Sequence, residues 1–338
     1  MKYEVSVPGK LYIAGEYAVV KGFHAIIIPT HLKVNVSIES SSEFKIKSNQ
    51  WDTYNMYQLH YLKRSKALWK RALNSAYSYL RDKKIKVLPN QIIIHSELDQ
   101  LDHKLGLGSS GAIVIGLIKA VLIFHQVDIT PRLLYILGVI ALKDLSEIAS
   151  YGDLACSAYE TPILYKKDTT INYQQGFKYL LQQSWDNLVI KTIQLPLKVM
   201  VIHTNVSASS TKLVDLLSQN MSQEEQVSIF QRIDNTVLEF EAAIKNQNHF
   251  KIFECIQSLE SYMKTLDDYM FGNMYVPNIK TIFEIAKAHD VVYKISGAGG
   301  GDNVLLFLKD QKVYTDIKQT LPSHYLDITK FITGETYE

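Results

Sequence analysis

The run Gly106-Leu107-Gly108-Ser109-Ser110-Gly111 leads directly into a stretch, Ala112 to Phe124, whose only charged residue is Lys119. A helix that is apolar all round must be buried on every side, so the rest of the chain has to be built around this one. The stretch is too short to span a bilayer. Its buried position also draws the glycine turn that opens it toward the interior. Such a turn presents unpaired backbone N–H groups at a helix start, where partial positive charge gathers and anions bind. The turn is neither of the two common nucleotide loops. A P-loop carries a lysine just before its Ser/Thr, and the dinucleotide fingerprint has a third glycine at a spacing that is absent here. The turn therefore points to a phosphate without saying which chemistry uses it.

Composition narrows the field by exclusion. At 338 residues the chain has room for about two domains of ~150 residues each. Its formal net charge is +2 and its basic residues are dispersed, which gives no stripe for nucleic acid. The only two cysteines, Cys156 and Cys255, have no paired spacing, so neither a disulfide nor a zinc framework is expected and a reducing cytoplasm fits. Residues Met1 to Val7 alternate like a strand and lack the apolar core of a signal peptide, and no membrane segment is expected. The ten histidines are scattered without zinc-ligand spacing.

Hydrophobic periodicity predicts short strands at Tyr3–Val7, Leu11–Ala14, Ala25–Ile28 and Leu32–Ile38. A long amphipathic helix follows, with Leu62, Trp69, Leu73, Ala76 and Leu80 on one face. A strand at Gln91–His95 precedes the glycine turn, and Pro131 suits the first turn of a helix over Pro131–Lys143. Beyond Leu195-Pro196 the pattern predicts a strand at Lys198–His203, helices over Glu224–Lys245 and Phe250–Phe271, and a third helix near Pro277. Strands Val291–Ile295 and Asn303–Leu308 then flank Ser296-Gly297-Ala298-Gly299-Gly300-Gly301-Asp302. This mixture predicts an α+β protein with a domain boundary around residues 185–200.

Four segments carry residues suited to chemistry. Lys10, opening a strand in Pro8-Gly9-Lys10-Leu11-Tyr12-Ile13-Ala14-Gly15-Glu16-Tyr17, would ordinarily be solvated. Beside a phosphate acceptor it would instead offset the charge that builds up during transfer. In the glycine turn, Ser109 or Ser110 could lend a hydroxyl to Mg2+, which takes few protein ligands. Asp153 in Ser150-Tyr151-Gly152-Asp153-Leu154-Ala155 is either turn chemistry or a carboxylate that orients an acceptor hydroxyl and takes its proton. The four glycines of Ser296–Asp302 either form a surface loop or let main chain approach a ligand closely.

In this order and spacing the segments resemble the GHMP kinases, the family of galactokinases, homoserine kinases, mevalonate kinases and phosphomevalonate kinases. Pro8–Glu16 looks like the family's N-terminal motif, Gly106–Gly111 its phosphate loop and Ser296–Asp302 its C-terminal glycine motif, and the resemblance spans essentially the whole chain. Within the family, Gly152-Asp153-Leu154-Ala155-Cys156 and Ser207-Ala208-Ser209-Ser210 are most similar to the bacterial phosphomevalonate kinase branch. The implied fold is α+β with two domains. Residues 1–190 would form an N-terminal α/β ATP-binding domain with a left-handed β-α-β unit, and residues 191–338 a ferredoxin-like C-terminal domain.

The resemblance implies an ATP- and Mg2+-dependent phosphotransferase, cytoplasmic and acting as a monomer or homodimer, with 5-phosphomevalonate as the small-molecule acceptor. Gly106, Leu107, Gly108, Ser109, Ser110 and Gly111 would wrap the ATP phosphates. Lys10 and Asp153 would be catalytic, with Ser110 and Glu147 near the metal. Lys10, Tyr17, Lys104, Ser150, Ser207, Ser210, Gly297, Ala298, Gly299 and Gly300 would contact substrate. Lys10, Lys104 and Lys212 are the positive charges expected to bring two anions together. Mevalonate kinase remains an alternative, as does a non-catalytic ATP-binding sensor on the same fold.

Overall fold

The computed structural model describes residues 1–48, 51–55, 67–98, 105–145, 149–206 and 210–333, with backbone only for 51–55, 210, 211 and 331. The first domain contains strands β1 (Lys2–Ala14), β2 (Ala25–Ser40), β3 (Lys45–Ser48), β4 (Trp51–Asn55), β5 (Asn90–Ser96), β6 (Ile163–Lys166) and β7 (Val189–Thr192). Its helices are α1 (Leu68–Asp82), α2 (Ser109–Phe124), α3 (Pro131–Leu142), α4 (Gly152–Tyr159) and α5 (Phe177–Gln182). The second domain holds β8 (Lys198–His203), α6 (Ser210–Asn220), α7 (Gln223–Lys245), α8 (His249–Asp268) and α9 (Pro277–Ala288). It continues with β9 (Val292–Ser296), β10 (Asn303–Leu308), α10 (Gln311–Thr320), β11 (Leu326–Asp327) and α11 (Thr329–Thr333).

Among the described residues seven strands form the first sheet, in the order β4-β3-β5-β2-β6-β7, with β1 paired antiparallel to β2. The β3/β5 pair is parallel, which requires a crossover, and α1 lies in that connection. The break at Pro8-Gly9 predicts two strands, but β1 is one strand with a register shift between Pro8 and Lys10. The shift absorbs the proline, which has no N–H to give to a ladder. Helix α2 is buried along its length, from Gly111 through Phe124, against the sheet and α1. The second sheet is antiparallel in the order β11-β8-β10-β9, and with helices after its first and third strands it is a ferredoxin-like layer. Local signals set the long helices here: Ser222 and Glu225 form a capping box at the start of α7, and Asn248 caps α8.

The two domains meet through buried polar contacts rather than through a shared sheet. Lys294 on β9 reaches Glu16 just beyond β1 at 2.5 Å, with side chains 0% and 4% exposed. Nearby, Ser296 Oγ donates to the Tyr12 carbonyl at 2.7 Å, and the His24 amide donates to Asp234 on α7 at 2.6 Å. Removing one member of a buried ion pair strands the other charge, which costs about 3–5 kcal/mol. Glu16→Gln is therefore expected to lower the melting temperature measured by circular dichroism far more than the double replacement Glu16→Gln/Lys294→Met. Equal losses in the two proteins would refute the coupling.

Candidate active site

The glycine turn is held by β1. Lys10 grips it twice, its amide donating to the Leu107 carbonyl at 2.7 Å and its ammonium to the Gly106 carbonyl at 3.0 Å. That approach requires Gly9, because a Cβ there would collide with the Leu107 carbonyl oxygen. Gly108 then takes a left-handed conformation (φ 77°), as the last residue before α2, with Lys10 Cγ only 2.7 Å from where its Cβ would stand. The N-cap residue, Gly108, has no side chain to cap α2, so among the described residues its first-turn N–H groups are left for an anion. Ser109 is half-buried and Ser110 exposed at this end.

Asp153 comes from the start of α4. The chain enters that helix through Tyr151 in a left-handed turn (φ 59°), and Gly152 fits beneath the Tyr12 ring, where any Cβ would strike the Tyr12 hydroxyl. That hydroxyl is in turn 3.1 Å from Ser150 Oγ. A Cβ on Gly111 would lie 2.7 Å from Asp153 Oδ2, so the first turns of α2 and α4 abut with this carboxylate between them. Burial raises the Asp153 pKa, opposed by the charge of Lys10 and by the backbone N–H of Leu154. Burial likewise lowers the Lys10 pKa, opposed first by Asp153 and then by Asp302. The pair thus lies in a poorly solvated setting where a fixed charge acts strongly.

The second domain closes the turn from the other side. Asn303 Nδ2 donates to the Leu105 carbonyl at 2.7 Å, and the Asp302 carboxyl carbon would be 3.0 Å from a Cβ on Gly106. The glycine segment before them is packed as well as open. Gly299 leaves no room for a side chain beside Met274, and Gly301 none beside the Val206 carbonyl, whereas Gly297 has open space around it. Ala298 receives the Tyr17 hydroxyl on its carbonyl at 2.6 Å, and Gly300 donates its amide to Met274 at 2.7 Å. Tyr17 is buried, so its hydroxyl ties the domains together at this point.

The structure therefore gathers Lys10, the Gly106–Gly111 turn, Ser150 and Asp153, with the glycine segment facing them. Lys104, Glu147 and Ser207 lie outside the described residues, Ser210 begins α6, and Lys212 is exposed on that helix. Among the described residues no three His, Cys, Asp or Glu side chains group to hold a metal. No helix among them is long and apolar enough to cross a membrane. Sequence reasoning missed the roles of Tyr12, Lys294 and Asn303. The signal for Lys294 was its place inside the otherwise apolar run from Val291 to Ile295.

Residues 67–161 match the model for the GHMP kinase N-terminal domain, and residues 240–326 the model for the C-terminal domain. The chain belongs to the GHMP kinase family. Its two-domain α+β architecture is the GHMP kinase fold. GHMP kinases are ATP-dependent phosphotransferases. A phosphomevalonate kinase of Streptomyces sp. (strain CL190) is 24% identical over 324 residues, covering 87% of each chain. A mevalonate kinase of Methanocaldococcus jannaschii is 23% identical, covering 91% of this chain and 92% of its own. The Streptococcus pneumoniae phosphomevalonate kinase, solved with phosphomevalonate and AMPPNP, superposes with a TM-score of 0.82 at 25% identity, covering 94% of this chain and 95% of its own.

For this GHMP kinase the abutment of Gly111 and Asp153 is a direct test of the site. Alanine is the better helix former, and that gain partly offsets the clash with Asp153, so Gly111→Ala should still fold cooperatively with a modestly lowered melting temperature. The methyl must displace the carboxylate, and misplacing a reacting group by about 1 Å costs on the order of 100-fold in turnover. Retained turnover in a folded Gly111→Ala protein would remove Asp153 from the reaction.

Proposed function

We propose that the chain transfers the γ-phosphoryl group of MgATP to the phosphate of 5-phosphomevalonate, giving ADP and 5-diphosphomevalonate. The observation that carries this reading is the placement of Lys10 and Asp153 beside the uncapped first turn of α2. The ATP phosphates would lie on the turn, held by the backbone N–H groups of Ser109 to Gly111. Ser110 is exposed there and does not cap its helix, so its hydroxyl fits as one ligand of Mg2+, which takes its other ligands from phosphates and water. When bound, that ion neutralises charge on the transferring group.

The acceptor in this reading is itself a phosphate, largely ionised at neutral pH, so little proton abstraction is required. The harder task is to bring two anions together. Lys10 supplies positive charge for it in a poorly solvated place, where an ammonium is most effective. Asp153 then keeps Lys10 charged and orients the acceptor. Support for this acceptor comes from the Gly152–Cys156 match and from the phosphomevalonate kinases among the relatives.

A second acceptor is favoured by one observation, the comparable identity of mevalonate kinases. With an alcohol as acceptor, Asp153 would have a proton to take. Steady-state rates on 5-phosphomevalonate, mevalonate and homoserine decide between them: the highest kcat/KM should fall on 5-phosphomevalonate, and a preference for mevalonate rejects the first reading. Lys10→Ala and Asp153→Ala should each lower turnover about 100- to 10,000-fold while leaving the folded signal intact. Near-normal rates in both proteins would exclude a catalytic site here.

A further inference from the structure

Lys167, the residue after β6, is 7% exposed, yet among the described residues no carboxylate lies within ion-pair distance of it. Its ammonium donates instead to the Ala149 carbonyl at 2.8 Å. It also stands over two aromatic rings, Tyr151 at 5.0 Å and Tyr173 at 4.7 Å, which are themselves 5.4 Å apart. The adjacent carboxylate is turned away: Asp168 accepts from the Thr170 amide and hydroxyl and from the Asn187 amide. A buried ammonium with no counter-ion among the described residues is costly and calls for a reason.

The reason is in what the ammonium touches. Ala149 and Tyr151 belong to the turn that delivers Asp153, and Tyr151 holds a left-handed conformation that a bulky residue adopts only under constraint. The same turn is gripped once more from β6, where the Tyr165 hydroxyl donates to the Ser150 carbonyl at 2.6 Å. Two successive carbonyls are thus fixed from one strand and its extension. Behind them, Tyr173 packs edge-on against Trp185 at 5.8 Å, so the cage around the ammonium is itself supported.

We propose that Lys167 is a positioning residue for phosphoryl transfer: its ammonium, caged by Tyr151 and Tyr173 and bonded to Ala149, fixes the turn that aims Asp153. This rests on the kinase reading above. Among the described residues, the groups facing the ammonium are the two phenols and the Ala149 carbonyl. Burial raises both phenol pKa values, that of Tyr151 to about 12, so both stay neutral. Burial alone lowers the Lys167 pKa to about 8. The charged, turn-holding form is therefore full below that pH and is lost as pH rises through it.

The test is steady-state kinetics with ATP and 5-phosphomevalonate, or mevalonate if that is the better acceptor, for the wild type, Lys167→Met and Lys167→Arg. Lys167→Met should lose kcat about 10- to 100-fold with the KM for ATP within about twofold. The wild-type kcat should decline near pH 8, and Lys167→Arg, which stays charged, should recover turnover and move that decline to higher pH. A Lys167→Met kcat within twofold of wild type overturns the proposal. So does an unmoved alkaline limb in Lys167→Arg, which decides the matter alone if Lys167→Met fails to fold. A wild type without turnover on any acceptor would instead refute the kinase reading itself.

Discussion

Glu16 and Lys294 lie in a dry interface, and neither tolerates burial without the other. Their pairing makes the mutual placement of the two sheets a matter of electrostatics as much as of apolar contact. Glu16 closes the glycine-bounded end of β1, and Lys294 precedes the glycine segment by two residues. The ion pair therefore sets how far that segment stands from the phosphate turn. Glu260 reinforces the arrangement. It accepts from the Tyr275 hydroxyl and the Ile295 amide, and burial pushes its carboxyl up to about 7.

Within that frame the glycine turn is a junction of three elements. β1 holds two of its carbonyls through Lys10, β10 holds the carbonyl of Leu105 just before it through Asn303, and α4 sets a carboxylate against its last glycine. Lys10 consequently does two jobs with one side chain, bonding the turn and facing Asp153. In a kinase this means that the geometry of the nucleotide loop and the charge at the reaction centre are not independent. An error in either propagates to the other.

Much of this was legible before any coordinates. The stretch after Gly111, apolar but for Lys119, has one physical solution, a buried helix, and α2 is that helix. The glycines of Ser296–Asp302 suggested main chain approaching a ligand or a surface loop; at Gly299 and Gly301 the close neighbours are Met274 and Val206 of the chain itself, and the tight approach at Gly9 was not foreseen. What stayed hidden depends on contacts between residues far apart in the chain. A lysine in a strand, such as Lys294, or one just past a strand, such as Lys167, looks solvated until the partner across the fold is known. The single strand over Pro8-Gly9 was missed for a related reason: proline and glycine ordinarily punctuate, but here a register shift carries the ladder through.

The aromatic packing behind the Asp153 turn gives the chain an optical property. Trp185 is 1% exposed, its indole N–H held by the Leu180 carbonyl, and its ring lies edge-on to both Tyr135 and Tyr173. Tyr135 meets Tyr165 hydroxyl to hydroxyl at 3.0 Å, and Tyr165 holds the Ser150 carbonyl. A displacement of the reactive turn is thus passed to the indole through two separate phenols. Of the chain's three tryptophans, Trp51, Trp69 and Trp185, it is the last whose emission becomes a built-in reporter of whether the carboxylate is in place.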